Sequence, residues 1–204
     1  DSLRRCIENP LYGKIKNMVG KGGQKFALFS SNTKPREGAK EEFILAILSL
    51  VLAVVAALAD QLIKCLVVSQ LKPVGSVTAI PGLLDFTYLE NRGAAFGMLQ
   101  DQRWFFIVTT GVITVLLIAG LFLYKKHSAC SIAASILIIG GGIGNLIDRI
   151  FLGYVVDYIQ VSFFPPIFNF ADCCVTVGTV LLMVHILFFL DKKDGKQLEK
   201  HEKS

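Results

Sequence analysis

Four long stretches without a charged side chain decide what this 204-residue chain can fold into. Residues 43–59 give 17 such positions and continue past Asp60 and Gln61 into Leu62 and Ile63. Residues 104–124 give 21, residues 128–147 give 20 and residues 173–190 give 18. A helix needs about 20 apolar residues to cross a hydrocarbon core ~30 Å thick. Four runs of that length inside residues 43–190 are too many for the buried helices of a soluble domain. The chain therefore reads as an all-α membrane protein, a bundle of four transmembrane helices. The first run is not a secretory signal: it starts 42 residues in, is too long for an h-region and has no small-residue cleavage site before Asp60.

Charge is sorted along the chain in a way that fits this reading. Residues 43–190 hold seven Lys/Arg and seven Asp/Glu, so the net charge of +5 comes wholly from the two ends. A basic excess split between two tails is not the footprint of a nucleic-acid-binding face, and no nucleic-acid partner is expected. With four spans, both ends share one side with the loop between spans two and three. That side collects 16 of the 21 basic residues, among them Lys125, Lys126, Lys192 and Lys193 beside span ends. The positive-inside rule then puts both termini in the cytoplasm. The five cysteines form no metal-ligand or disulfide pattern.

Three segments follow: residues 1–42, a polar, disordered cytoplasmic extension; residues 43–190, the membrane domain; and residues 191–204, a charged cytoplasmic tail. The chain begins with Asp1 and not Met, so part of the extension is read as a fragment or a misplaced start. Between spans one and two, Lys72-Pro73 and Pro81-Gly82 mark turns around strand formers at 83–89. They predict a small β-rich cradle outside the membrane between helices 1 and 2. Between spans three and four, residues 155–162 before Pro165-Pro166 read as an interfacial segment followed by a turn.

Ionisable groups at membrane depth are costly, and here they cluster. Asp60 follows span one, Asp148 and Arg149 end span three, Asp157 lies in the next connection and Asp172 opens span four, with Asn145 and Asn169 nearby. Each also has a structural reading. Asn169 and Asp172 fit the N-cap and N3 places of a capping box. Asp60 and Lys64 are an i, i+4 pair, and Asp148-Arg149 fits a local ion pair. Two carboxylates a few ångströms apart cannot both ionise easily, which suits aspartyl-protease chemistry and equally a proton- or cation-coupled transporter. Gly140 and Gly144 form a small-xxx-small pair for close helix packing. His127, His185 and His201 read as scattered, which argues against a histidine triad or a metal site.

Read in order, the polar clusters are Asp60-Gln61-x-x-Lys64, Asn91-Arg92-Gly93-Ala94-Ala95-Phe96-Gly97, Gly144-Asn145-Leu146-Ile147-Asp148-Arg149, Val155-Val156-Asp157-Tyr158 and Phe168-Asn169-Phe170-Ala171-Asp172. The set resembles bacterial lipoprotein signal peptidase (signal peptidase II). The resemblance implies an intramembrane aspartyl endopeptidase that removes the signal peptide from diacylglyceryl-modified prolipoproteins just before the lipidated cysteine. It implies Asp157 and Asp172 as the catalytic dyad, with Asp60, Asn91, Gly93, Asn145, Arg149 and Asn169 supporting the dyad or binding substrate, and a structural role for Asp148. It implies no metal or cofactor, membrane lipids as surroundings and inhibition by globomycin-type cyclic peptides. The family starts close to span one, so residues 1–40 are atypical of it.

Overall fold

The computed structural model describes residues 37–93 and 99–190. Of the expected disordered extension, residues 1–42, the first 36 lie outside the described residues, as does the charged tail, residues 191–204, whereas residues 37–42 are helical. The chain divides into Asp1–Glu41 and Glu42–Ser204; the second unit holds the sheet, three complete helices and the first helix from Glu42 onward. Helix α1 spans Glu37–Leu66 and runs on through a π-helical turn, Val67–Leu71. Strands β1 (Ser76–Ile80) and β2 (Leu84–Asn91) follow, then α2 (Arg103–Leu123) and α3 (Ala129–Phe151). Strands β3 (Val155–Val161) and β4 (Ile167–Phe168) precede α4 (Phe170–His185), which ends in a second π-helical turn, Ile186–Leu190.

All four helices are long and apolar enough to cross a membrane. Their packing reverses that of a soluble bundle. Large apolar side chains such as Leu62, Val115, Leu116 and Leu123 are exposed, while small and polar ones are buried. On α1 the buried positions are Ala46, Ser49, Ala53, Ala57, Asp60 and Lys64. Steps of three and four place these on one stripe, so the spacing that packs alanines against the bundle also points Asp60 and Lys64 inward. Facing them, α3 supplies Gly140 and Gly144, neither with room for a side chain, while Gly141 packs as closely against Ala171 of α4. A Cβ at Gly140 would lie 2.8 Å from the Ala53 carbonyl oxygen, and one at Gly144 would lie 2.6 Å from Asp60 Oδ2.

Gly144 therefore couples helix packing to the polar cluster. Gly144→Ala should lower stability by about 1–3 kcal/mol through overpacking against the Asp60 carboxylate. A thermal unfolding midpoint in detergent matching that of the unchanged protein would contradict this.

The four strands form one antiparallel sheet in the order β1-β2-β3-β4. Strand formers at 83–89 do form a strand. The expectation for residues 155–162 left their secondary structure open: residues 155–161 form the third strand. Val155–Val161 pairs with β2 over most of its length, Leu84 opposite Val161 and Asn91 opposite Val155. The cradle is thus built from both connections and not from the one between helices 1 and 2 alone. A run this short, with Asp157 and Gln160 among apolar residues, has no periodicity that separates strand from helix, and its partner lies in another connection.

Candidate active site

The polar side chains meet where α1 and α3 end, α4 begins and β3 crosses. Asn169 is the hinge of the arrangement. It is the extended N-cap of α4, and both halves of a capping box are present: its Oδ1 accepts from Asp172 N at 2.8 Å, and its own N–H donates to Asp172 Oδ2 at 3.2 Å. Its amide Nδ2 donates to Asp157 Oδ1 at 2.6 Å and to Asn145 Oδ1 at 3.1 Å. The structural reading of Asn169 and Asp172 as a cap is borne out, and the same cap brings β3 and α4 together through Asp157 and Asp172.

Each oxygen of these two carboxylates receives one donor. Asp172 Oδ1 accepts from Asn145 Nδ2 at 2.7 Å, and Asp157 Oδ2 accepts from Asn91 Nδ2 at 2.8 Å. The Asn91 amide is itself oriented by Gly93, whose N–H donates to Asn91 Oδ1 at 2.9 Å. Each of these oxygens keeps a further lone pair. Burial, and then the charge of Asp172, push the Asp157 carboxyl up to about 7, against the donors Asn91 and Asn169 and the Lys64 charge.

Behind the pair lies a buried ion cluster. Lys64 Nζ contacts Asp60 Oδ2 at 2.8 Å, Asp148 Oδ2 at 2.9 Å and Asn145 Oδ1 at 2.8 Å, which uses all three ammonium donors. Asp60 Oδ1 accepts from the Ala171 N–H at 3.0 Å, and Asp148 Oδ2 accepts from the Val156 N–H at 3.1 Å. Gln61 Nε2 joins Asp148 Oδ1 at 2.9 Å to the Gly144 carbonyl at 3.1 Å. The cluster thus holds the backbone just before Asp157 and Asp172 and, through Asn145, the side chain of Asp172. Among the described residues, Arg103 Nε is the one buried polar side-chain atom without a hydrogen-bond partner, so the cluster is satisfied throughout.

The Asp60–Lys64 pair forms as its spacing suggests, but it is one edge of a larger cluster. Asp148 does not close a local pair with Arg149; it turns to Lys64 and Gln61. Arg149 reaches the Asn145 carbonyl at 3.4 Å, lies over the Phe106 ring at 4.8 Å and stays within Coulomb range of Asp157 and Asp172. Sequence reasoning left Lys64 out of the candidate site. Its signal was the cost of a buried lysine on the same stripe as Asp60.

The histidines are a second correction. His127 and His185 are not scattered: both stand edge-on to the Tyr124 ring, at centroid distances of 5.2 and 5.8 Å. His185 Nε2 lies 3.1 Å from Tyr124 Oη, and Nδ1 lies 2.8 Å from Ser128 Oγ. This second polar cluster is at the other end of α3 from Asn145 and Asp148. Among the described residues, no three His, Cys, Asp or Glu side chains are grouped to hold a metal.

Residues 52–188 match the family described as Signal peptidase (SPase) II. Lipoprotein signal peptidase of Caldanaerobacter subterraneus subsp. tengcongensis is 43% identical over 141 residues, covering 69% of this chain and 97% of that protein. The Clostridioides difficile protein of the same name is 44% identical over 134 residues, covering 65% and 90%. Among solved structures, a bacterial membrane enzyme determined by the in meso method at 2.3 Å superposes with a TM-score of 0.64 at 32% identity. The match covers 71% of this chain and 90% of that one.

Proposed function

The chain belongs to the signal peptidase II family, a multi-pass membrane peptidase of lipoprotein processing, and from that we propose an aspartyl mechanism with Asp157 and Asp172 as the catalytic pair. The observation that carries this reading is Asn169, which contacts both acids at once. The substrates are prolipoproteins bearing a diacylglyceryl-cysteine, cut on the N-terminal side of that cysteine. The peptidase unit is residues 43–190. Both termini lie in the cytoplasm, and the sheet and the acids sit at the outer face of the cell membrane, where a lipidated cysteine following a signal helix would arrive.

The geometry supports a direct sequence of proton moves. The pair holds one proton between two carboxyls and titrates as a unit. The ionised member takes a proton from a water, whose oxygen attacks the scissile carbonyl carbon. The protonated member gives its proton to the carbonyl oxygen, forming a neutral tetrahedral diol. Collapse of the diol breaks the C–N bond as the leaving nitrogen takes a proton from the pair and the diol returns one to it. Asn91, Asn145 and Asn169 keep both carboxyls in place, and Asp60 and Arg149 support the backbone and the field around them. No metal or cofactor has a part in these steps.

A gel-shift assay on a lipidated prolipoprotein tests the activity. The mature band should appear, and the cyclic peptide globomycin should suppress it; an unprocessed substrate with folded protein present would contradict the reading. The pH dependence tests the pair. Because the Asp157 carboxyl titrates near 7, raising the pH through that value strips the shared proton, and cleavage should fall by about tenfold per unit beyond it. A rate that stays level from neutral to clearly alkaline pH would count against a shared proton.

A further inference from the structure

We propose that the sheet is seated in the lipid–water interface of the bilayer through an apolar tip made of two adjoining turns, and that the partner of this tip is phospholipid. The β1–β2 and β3–β4 turns lie side by side: Leu84 pairs with Val161, and the Ser162 N–H donates to the Leu83 carbonyl at 3.0 Å. Four large apolar side chains stand out from this tip, Phe163 at 79% exposure together with Ile80, Leu83 and Phe164. Residues 80–84 and 161–168 contain no charged residue. Both turns carry proline, at Pro81, Pro165 and Pro166, and each proline removes a backbone donor that immersion in lipid would leave unsatisfied.

The tip is continuous with a surface that must face lipid. Val77 and Phe86, paired across β1 and β2, line a 730 Å³ cavity whose other wall is Ile63, Leu66 and Val67 at the end of α1. Leu62 and Leu66 on that membrane helix are exposed at 68% and 63%. Apolar surface therefore runs without a charged break from the helix end, across Val77 and Phe86, to the tip. A patch of this kind in water would be an association hazard. The next residues along the strands differ: exposed Ser76 and half-buried Thr87 pair their hydroxyls at 2.8 Å. Alternation along a strand puts these hydroxyls on the opposite face from Val77 and Phe86. The proposal depends on the membrane spans and not on the peptidase chemistry.

Tryptophan fluorescence reads the depth directly, because the chain has a single tryptophan, Trp104. In a Trp104→Phe background, Phe163→Trp, Leu83→Trp and Thr87→Trp would each be reconstituted in phosphatidylcholine vesicles brominated near the top of the acyl chains. Both tip variants should show blue-shifted emission, severalfold quenched by the brominated lipid and nearly insensitive to aqueous iodide. Thr87→Trp should show the reverse. Iodide quenching of both tip positions without quenching by brominated lipid would overturn the proposal. So would equal lipid quenching at Thr87, which would remove the distinction between the faces. Two tip positions are used so that a folding failure at one leaves the other decisive.

Discussion

Asp157→Asn should insert and accumulate like the unchanged protein while losing prolipoprotein cleavage by at least about a thousandfold. Asparagine keeps the size and the acceptor oxygen, so the contact at 2.6 Å with Asn169 Nδ2 can persist. What it removes is the ability to hold or release the shared proton, on which both the attack of water and the protonation of the leaving nitrogen depend. Acid–base participation of one positioned group contributes about 10²–10⁴-fold, and here one pair serves both steps. Initial cleavage rates at matched amounts of membrane-inserted protein check this. A rate within tenfold of the unchanged protein would remove Asp157 from the chemistry.

Lys64→Met is the second large effect, and it falls first on stability. The lysine is 3% exposed, and its ammonium lies within 3 Å of Asp60, Asp148 and Asn145. Methionine fills much of the stem volume but leaves two buried carboxylates facing each other without a cation. Breaking a buried ion pair from one side costs roughly 3–5 kcal/mol. The variant should therefore unfold at a clearly lower temperature in detergent. Adding Asp60→Asn and Asp148→Asn should return part of the loss, because the penalty comes from unpaired charge and not from the missing lysine itself. Single and triple variants that melt together would show that charge pairing is not what holds this end of the bundle.

Cleavage should fall along with stability, since the same cluster holds the chain on either side of the pair. Asp148 accepts from the Val156 N–H, one residue before Asp157, and Asp60 accepts from the Ala171 N–H, one residue before Asp172. A residue far from the scissile bond can thus set the position of both acids. Small misplacements of reacting groups are costly in rate.

Much of this could be read from the amino acids, for physical reasons that differ by element. The spans were legible because bilayer thickness sets a length and apolarity sets a threshold, although the helix ends shift by several residues; α4, for example, opens at Phe170 with Asn169 as its cap. That cap was legible too, because a capping box is a local pattern over four residues. Lys64 was only half legible. Its spacing gave the partner Asp60, but Asp148 and Asn145 come from α3, and no local rule brings them to it.

Strand β3 was not legible as a strand, since Val155–Val161 acquires its pairing from β2 across the whole of α2 and α3. The meeting of His127 and His185 at Tyr124 was hidden for the same reason: it is made by the packing of three helices and not by their spacing in the chain. In each case the missing information was which segment lies alongside. Hydropathy and caps describe a segment's own preferences and not its neighbours.

Asp172, held by Asn145 and Asn169, is half of the proposed cleaving pair, and one measurement bears on it most directly. Purified Asp172→Asn and unchanged protein, reconstituted at equal folded amounts, would be given the same diacylglyceryl-modified prolipoprotein, and the products identified by mass spectrometry. The unchanged protein should release a product whose N-terminus is the lipidated cysteine, and the variant should leave the substrate intact. Cleavage at that cysteine by folded Asp172→Asn at a rate near that of the unchanged protein would contradict the account.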